Sequence, residues 1–86
     1  MTTDKQLRVL LVEDREDDAE LLLLVLRRAG YTVTAHRCSS PETFEAALAM
    51  PDGWDVVLAD YDLPGFSGLS ALEMLQAHKI DLPFII

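Results

Sequence analysis

The sequence predicts an α/β fold, a doubly wound parallel sheet with helices on both faces. Three observations carry that prediction. Short, continuous apolar runs stand at Val9-Leu10-Leu11-Val12 and Val56-Val57-Leu58-Ala59, and a third opens at Phe84-Ile85-Ile86; such runs mark strands covered on both sides. Segments with helical apolar spacing and recognisable start and stop signals lie between them. Strand and helix alternate throughout as βαβαβαβ, which right-handed crossovers turn into a parallel sheet.

The first strand, Val9 to Val12, runs into acid at Glu13-Asp14. From Asp17 to Ala29 the chain holds no glycine or proline, carries acids in its first turn and Arg27-Arg28 in its last, and stops at Gly30. That is a helix whose macrodipole is complemented at both ends, with a glycine C-cap. Tyr31 to Arg37 alternates β-branched and polar residues, as a strand near a sheet edge does. A second helix begins at Ser39 or Ser40, with Pro41 in its first turn and Glu42 placed for a capping box if Ser39 is the cap. Phe44, Ala47 and Leu48 form its inward face, and Pro51-Asp52-Gly53 ends it.

Val56 to Ala59 reads as another strand buried on both faces, and it too ends in acid, at Asp60. Leu63-Pro64-Gly65-Phe66-Ser67-Gly68 is a loop rich in breakers. Leu69 to Lys79 resumes a helical pattern through Leu69, Leu72 and Leu75, and Leu82-Pro83 leads into the opening of a fourth strand. The chain stops inside that strand, which suggests a fragment of a larger domain. The six consecutive apolar residues Leu21 to Leu26 point the same way. They wrap further around a helix than the stripe of about 100° that one sheet face needs. The missing neighbour is expected beyond Ile86 or on another molecule, so self-association through exposed apolar surface is an expectation.

Composition narrows the function. A chain of 86 residues makes one domain, 1–86, with a small core. It is 50% hydrophobic and 26% charged, the balance of a globular domain and not of a disordered tail. Seven basic against fifteen acidic side chains leave a net charge of -8, which repels phosphate backbones and anionic lipid, so neither nucleic acid nor membrane is an expected partner. The lone Cys38 has no partner for an internal disulfide, which fits a buried thiol and a cytoplasmic location. The N-terminus has no signal-peptide pattern, and no apolar run approaches the ~20 residues of a membrane helix.

Ligands of open parallel sheets bind outside the carboxyl ends of the strands. The two most apolar strands end in Glu13-Asp14 and in Asp60-Tyr61-Asp62, so as neighbours they converge their acids on one spot. Like charges at close range are unfavourable unless a cation neutralises them or a proton is retained. An all-oxygen ligand set suits a hard ion such as Mg²⁺. Asp17, Asp18 and Glu20 are explained by favourable contact with the helix dipole alone.

VLLVED at Val9 to Asp14 and VVLADYDLPGFSG at Val56 to Gly68 resemble the response-regulator receiver domain of two-component signalling. The spacing of the acids and the proline four residues after Asp60 also fit, and the similarity runs from Leu7 to Ile86. The resemblance implies a flavodoxin-like receiver fold, incomplete because the last helix-strand-helix is lacking. It implies Asp60 as phosphoacceptor, Asp14 as a direct Mg²⁺ ligand, Glu13 as a ligand through a metal-bound water, and Asp62 as a backbone-carbonyl ligand. Pro64 and Gly68 would shape the loop beside the site. It further implies a histidine kinase or histidine phosphotransfer protein as phosphodonor and an output domain in the full-length parent. The function so implied is regulatory: any phosphotransfer or dephosphorylation would be self-catalysed. The chain departs from the family by ending before the Ser or Thr past the fourth strand and the Lys of the fifth, both phosphoryl contacts.

Two alternatives remain at this point. Asp60-Tyr61-Asp62 satisfies the DxD start of haloacid-dehalogenase-like phosphatases, although Leu63-Pro64 stands where Gly-Thr is typical. A receiver-like interaction module without phosphotransfer is the other. An EF-hand from Asp14 fails because Ala19 and Val25 occupy the glycine and bidentate-Glu positions. A P-loop fails because no Lys follows Gly68, and His36 and His78 have no ligand spacing.

Overall fold

An unbroken apolar strand is stable only where something covers each of its faces, and the centre of this sheet meets that condition. The computed structural model describes residues 5–51, 53–60 and 63–86. In chain order it contains β1 (Lys5–Val12), α1 (Glu16–Arg28), β2 (Tyr31–Cys38), α2 (Pro41–Leu48), β3 (Val56–Ala59), α3 (Gly68–Ala77) and β4 (Phe84–Ile85). The strands pair in parallel in the order β2-β1-β3-β4. This is the doubly wound arrangement the sequence predicts, an incomplete flavodoxin-like fold with β1 and β3 side by side.

Period-two alternation sends β1 into both layers. Leu10 and Val12 join Phe44, Val57, Phe66 and Leu75 in the core beneath α2 and α3. Val9 and Leu11 join Ala19 on the opposite face, with Leu23 and Leu26 of α1 packed on them. All four residues of Val9 to Val12 are buried. The far end of the sheet is pinned by Arg8. Its backbone N–H donates to Asp55 Oδ2 at 2.8 Å and its Nε–H to the Gly53 carbonyl at 2.7 Å. Its guanidinium lies 5.1 Å from the Trp54 ring centroid, while the Trp54 indole N–H donates to Ala47 of α2.

Several details differ from the sequence reading, each for a local reason. Ser40, not Ser39, caps α2, and its box partner is Thr43 rather than Glu42. The Ser40 hydroxyl accepts from the Thr43 N–H while Thr43 Oγ1 accepts from the Ser40 N–H, so two orphan donors are satisfied. In α3 the buried residues are Gly68, Ala71 and Leu75, and Leu69 is exposed. Starting one residue earlier and capped by Ser67, the helix turns its smaller residues inward. Val56 and Leu58 are only half-buried, because α1 covers the centre of its face and leaves β3 partly open on that side. α1 begins at Glu16, and Gly30 follows it at φ +101°, a conformation suited to glycine.

The contrast between buried Leu75 and exposed Leu69 on α3 gives a direct check. Leu75→Ala is expected to lower unfolding free energy by about 2–5 kcal/mol. Leu69→Ala is expected to stay within about 0.5 kcal/mol of wild type. Urea denaturation followed by circular dichroism separates the two.

Candidate functional site

Strand pairing places the acids. Val12 pairs with Ala59 in the parallel register of β1 and β3. The residues immediately after them, Glu13 and Asp60, therefore leave the sheet side by side. Two further backbone bonds hold the chain there: the Asp60 N–H donates to the Val12 carbonyl at 2.8 Å, and the Glu13 N–H to the Cys38 carbonyl at 3.0 Å. Alternation turns both side chains toward the α1 side of the sheet.

Carboxylate oxygens of Glu13, Asp14 and Asp60 all lie within 4.8 Å of one another. Glu13 is buried, Asp60 half-buried and Asp14 exposed, so the cluster grades from sheet to solvent. Asp62, the remaining sequence-predicted ligand, lies outside the described residues, as do Tyr61 and Asp52. The sequence reading thus finds Glu13, Asp14 and Asp60 brought together in space.

Burial pushes the Glu13 carboxyl above its ordinary value, and the nearby charge of Asp60, a hydrogen bond with Asp14 and the charge of Asp18 add to the rise. The backbone N–H of Arg15, 3.0 Å from Glu13 Oε1, opposes it. The buried acid is therefore disfavoured as an anion, the condition under which a bound cation gives most relief.

The neighbours of the cluster were only partly visible in the sequence. The Arg37 guanidinium donates to the Glu13 carbonyl at 3.1 Å and ties the end of β2 to the acidic turn. Arg15 sets the Glu13 rotamer through its backbone and pairs by its side chain with Asp18 at 3.4 Å. Neither contact has a sequence signal, because both depend on backbone placement at a strand end. Gly68 packs against the Asp60 carbonyl, and a Cβ there would stand 3.4 Å from that oxygen and from Ile86 Cδ1. Beside the acids lies a recess of about 390 Å³, walled by Glu13, Asp18 and Asp60 on one side and Leu22, Leu58 and Ile85 on the other. Cys38 is buried and donates to the Leu11 carbonyl; burial pushes its thiol up to about 12, so it acts as packing and not as a nucleophile. His36 stacks near Trp54 and His78 pairs with Glu45, both away from the acids.

A parallel α/β sheet whose two central strands end in three convergent carboxylates is the arrangement of a receiver-type signalling domain. Residues 9–86 match the response regulator receiver domain, and the chain belongs to that family. Among curated relatives it is 38% identical over 91% of its length to the uncharacterized transcriptional regulatory protein YkoG of Bacillus subtilis. It is 31% identical over 93% of its length to the cell cycle transcriptional regulator CtrA of Caulobacter vibrioides. It is 42% identical over 83% of its length to the sensory transduction protein RegX3 of Mycobacterium bovis. The chain spans 33%, 33% and 30% of the lengths of these relatives.

The raised Glu13 carboxyl carries a pH signature. The folded state holds this proton more tightly than the unfolded chain does, so ionising Glu13 as pH rises through its folded pKa removes stability. Glu13→Gln keeps the acceptor for the Arg15 N–H and abolishes that loss. Thermal melts of the metal-free chain are expected to show the variant gaining on wild type as pH rises above 4.5, the ordinary value of the carboxyl. A constant or shrinking difference contradicts the assignment.

Proposed function

We propose that this chain is the phosphoacceptor module of a two-component phosphorelay, with Asp60 receiving the phosphoryl group. The observation that carries the reading is the convergence of Glu13, Asp14 and Asp60 within 4.8 Å at the carboxyl ends of β1 and β3. It is supported by membership of the receiver family.

The donor is a histidine kinase or a histidine phosphotransfer protein. An Asp60 carboxylate oxygen attacks phosphorus in line, the O–P bond forms as the P–N bond to the donor imidazole breaks, and the imidazole leaves and is reprotonated. Asp60 suits the task because the bond from its N–H to Val12 and the packing of Gly68 against its carbonyl fix the backbone that carries the nucleophile. Glu13, Asp14, Asp60 and the Asp62 backbone carbonyl are the proposed holders of Mg²⁺. The all-oxygen donors fit that hard ion, with positions left for water. Bound there, Mg²⁺ supplies neutralisation of the charge that an anionic nucleophile and an anionic phosphoryl group bring together.

The role is regulatory and not that of an enzyme acting on a separate substrate. In the full-length parent an output domain reads the phosphorylation state, as the lengths of the relatives suggest. The chain works in the cytoplasm; none of its described helices is long and apolar enough to cross a membrane.

Intact-mass analysis after incubation with a small-molecule phosphodonor tests the reading. One phosphoryl adduct is expected, dependent on Mg²⁺ and absent from Asp60→Ala, with Asp14→Ala losing most of the Mg²⁺ dependence. A chain that stays unmodified, or an adduct that persists in Asp60→Ala, overturns the proposal in favour of an interaction module.

A further inference from the structure

Parallel pairing of β1 with β2 continues one step past the end of β1 and then changes partner. Val12 pairs with Cys38, and the Glu13 N–H donates to the Cys38 carbonyl at 3.0 Å. In a regular parallel ladder the carbonyl of the same residue accepts from the N–H two residues further along the neighbouring strand, which here is that of Ser40. That N–H is already committed: it donates to Thr43 Oγ1 at 3.2 Å, as half of the capping box that opens α2. The helix cap therefore takes the donor that the sheet would have used. The Arg37 guanidinium replaces it, donating to the Glu13 carbonyl at 3.1 Å.

The carbonyl so held belongs to the peptide group that joins Glu13 to Asp14. The plane of that peptide governs how both carboxylates project from the end of β1, while Asp60 is fixed separately by its N–H bond to the Val12 carbonyl. The three acids converge only if the two that β1 supplies are aimed at the third. Arg37 has the reach for this. It pairs in register with Leu11, so it stands two residues back from Glu13 on the same face, about 6.6 Å away along the strand direction. A long cationic side chain spans that distance and presents its donors at the far end.

We propose that Arg37 is a positioning residue of the cation site: from the neighbouring strand it orients the peptide between Glu13 and Asp14, and so sets how tightly the three carboxylates hold a divalent ion. This deepens the phosphoacceptor reading and rests on the cation site of that reading. Groups that hold metal ligands in place are typically worth about 10- to 100-fold in metal affinity. Bare electrostatics acts in the opposite direction. Arg37 is a cation, and removing its charge from the neighbourhood of a divalent ion would tighten binding. The sign of the change therefore separates an orienting bond from a surface charge.

Titration of the full 86-residue chain with Mn²⁺, the free ion being counted by electron paramagnetic resonance, is the test. Arg37→Met keeps the aliphatic stem and removes both donor and charge, and it is expected to weaken Mn²⁺ binding about tenfold or more. Arg37→Lys restores a donor at that reach and is expected to keep most of the wild-type affinity. In the metal-free chain the Glu13 carbonyl carbon resonance is expected to shift in Arg37→Met and to shift less in Arg37→Lys. The circular dichroism spectrum is expected to hold in both, since Arg37 is exposed. Mn²⁺ binding by Arg37→Met that equals or exceeds that of wild type overturns the proposal and leaves Arg37 a surface charge. An unmoved Glu13 resonance overturns it too, because the bond is then not made in solution. A wild-type chain that binds no Mn²⁺ overturns the cation site itself, a result distinct from a wild-type site that Arg37→Met leaves intact.

Discussion

The register between β1 and β3 is the constraint on which the rest depends. Parallel pairing of Val12 with Ala59 brings the next residue of each strand to one place, and both next residues are acids. Strand burial and acidic site are thus two ends of one arrangement. The apolar run Val9 to Val12 drives β1 into the centre of the sheet, and that position makes the charges after it neighbours. A shift of one residue in this pairing would turn buried side chains to the wrong face and separate Glu13 from Asp60. The hydrophobic core therefore enforces an electrostatic repulsion that no free chain would adopt.

The repulsion is distributed unevenly. Glu13 bears most of the desolvation, and its carboxyl is raised accordingly, while Asp14 stands in solvent. Arg15 and Arg37 moderate the turn through a backbone N–H to the Glu13 carboxylate and a guanidinium to its carbonyl. The backbone N–H of Arg15 opposes the rise of the Glu13 carboxyl without cancelling it.

Most of the fold was legible because period and punctuation agree. Val9 to Val12 and Val56 to Ala59 have the unbroken apolar character of central strands, and Gly30 stops α1 where the pattern breaks. The clustering of Glu13, Asp14 and Asp60 was legible because strand ends deliver side chains to one edge of such a sheet. What escaped was decided by a single turn of geometry. Ser39 and Ser40 are both competent caps, and the choice of Ser40 follows from Thr43 being able to return a hydrogen bond. Leu69 looked like a core residue by type, but Gly68, Ala71 and Leu75 face inward because Ser67 fixes the start of α3. Val56 and Leu58 are less covered than their hydrophobicity suggested, since cover depends on where α1 lies and not on the strand itself. The same incomplete cover explains why Leu22 and Leu58 wall an open recess beside the acids.

The central claim is that strand register builds one cation site from Glu13, Asp14 and Asp60 rather than a general acidic surface. Titration of the isotope-labelled chain with Mn²⁺, read as paramagnetic broadening of backbone amide signals, tests it most directly. The expected result is that the amides of Glu13, Asp14 and Asp60 broaden first and together, and that excess Mg²⁺ reverses the effect. Broadening that starts at Asp17 and Glu20, or spreads evenly over the acidic residues, would contradict the account.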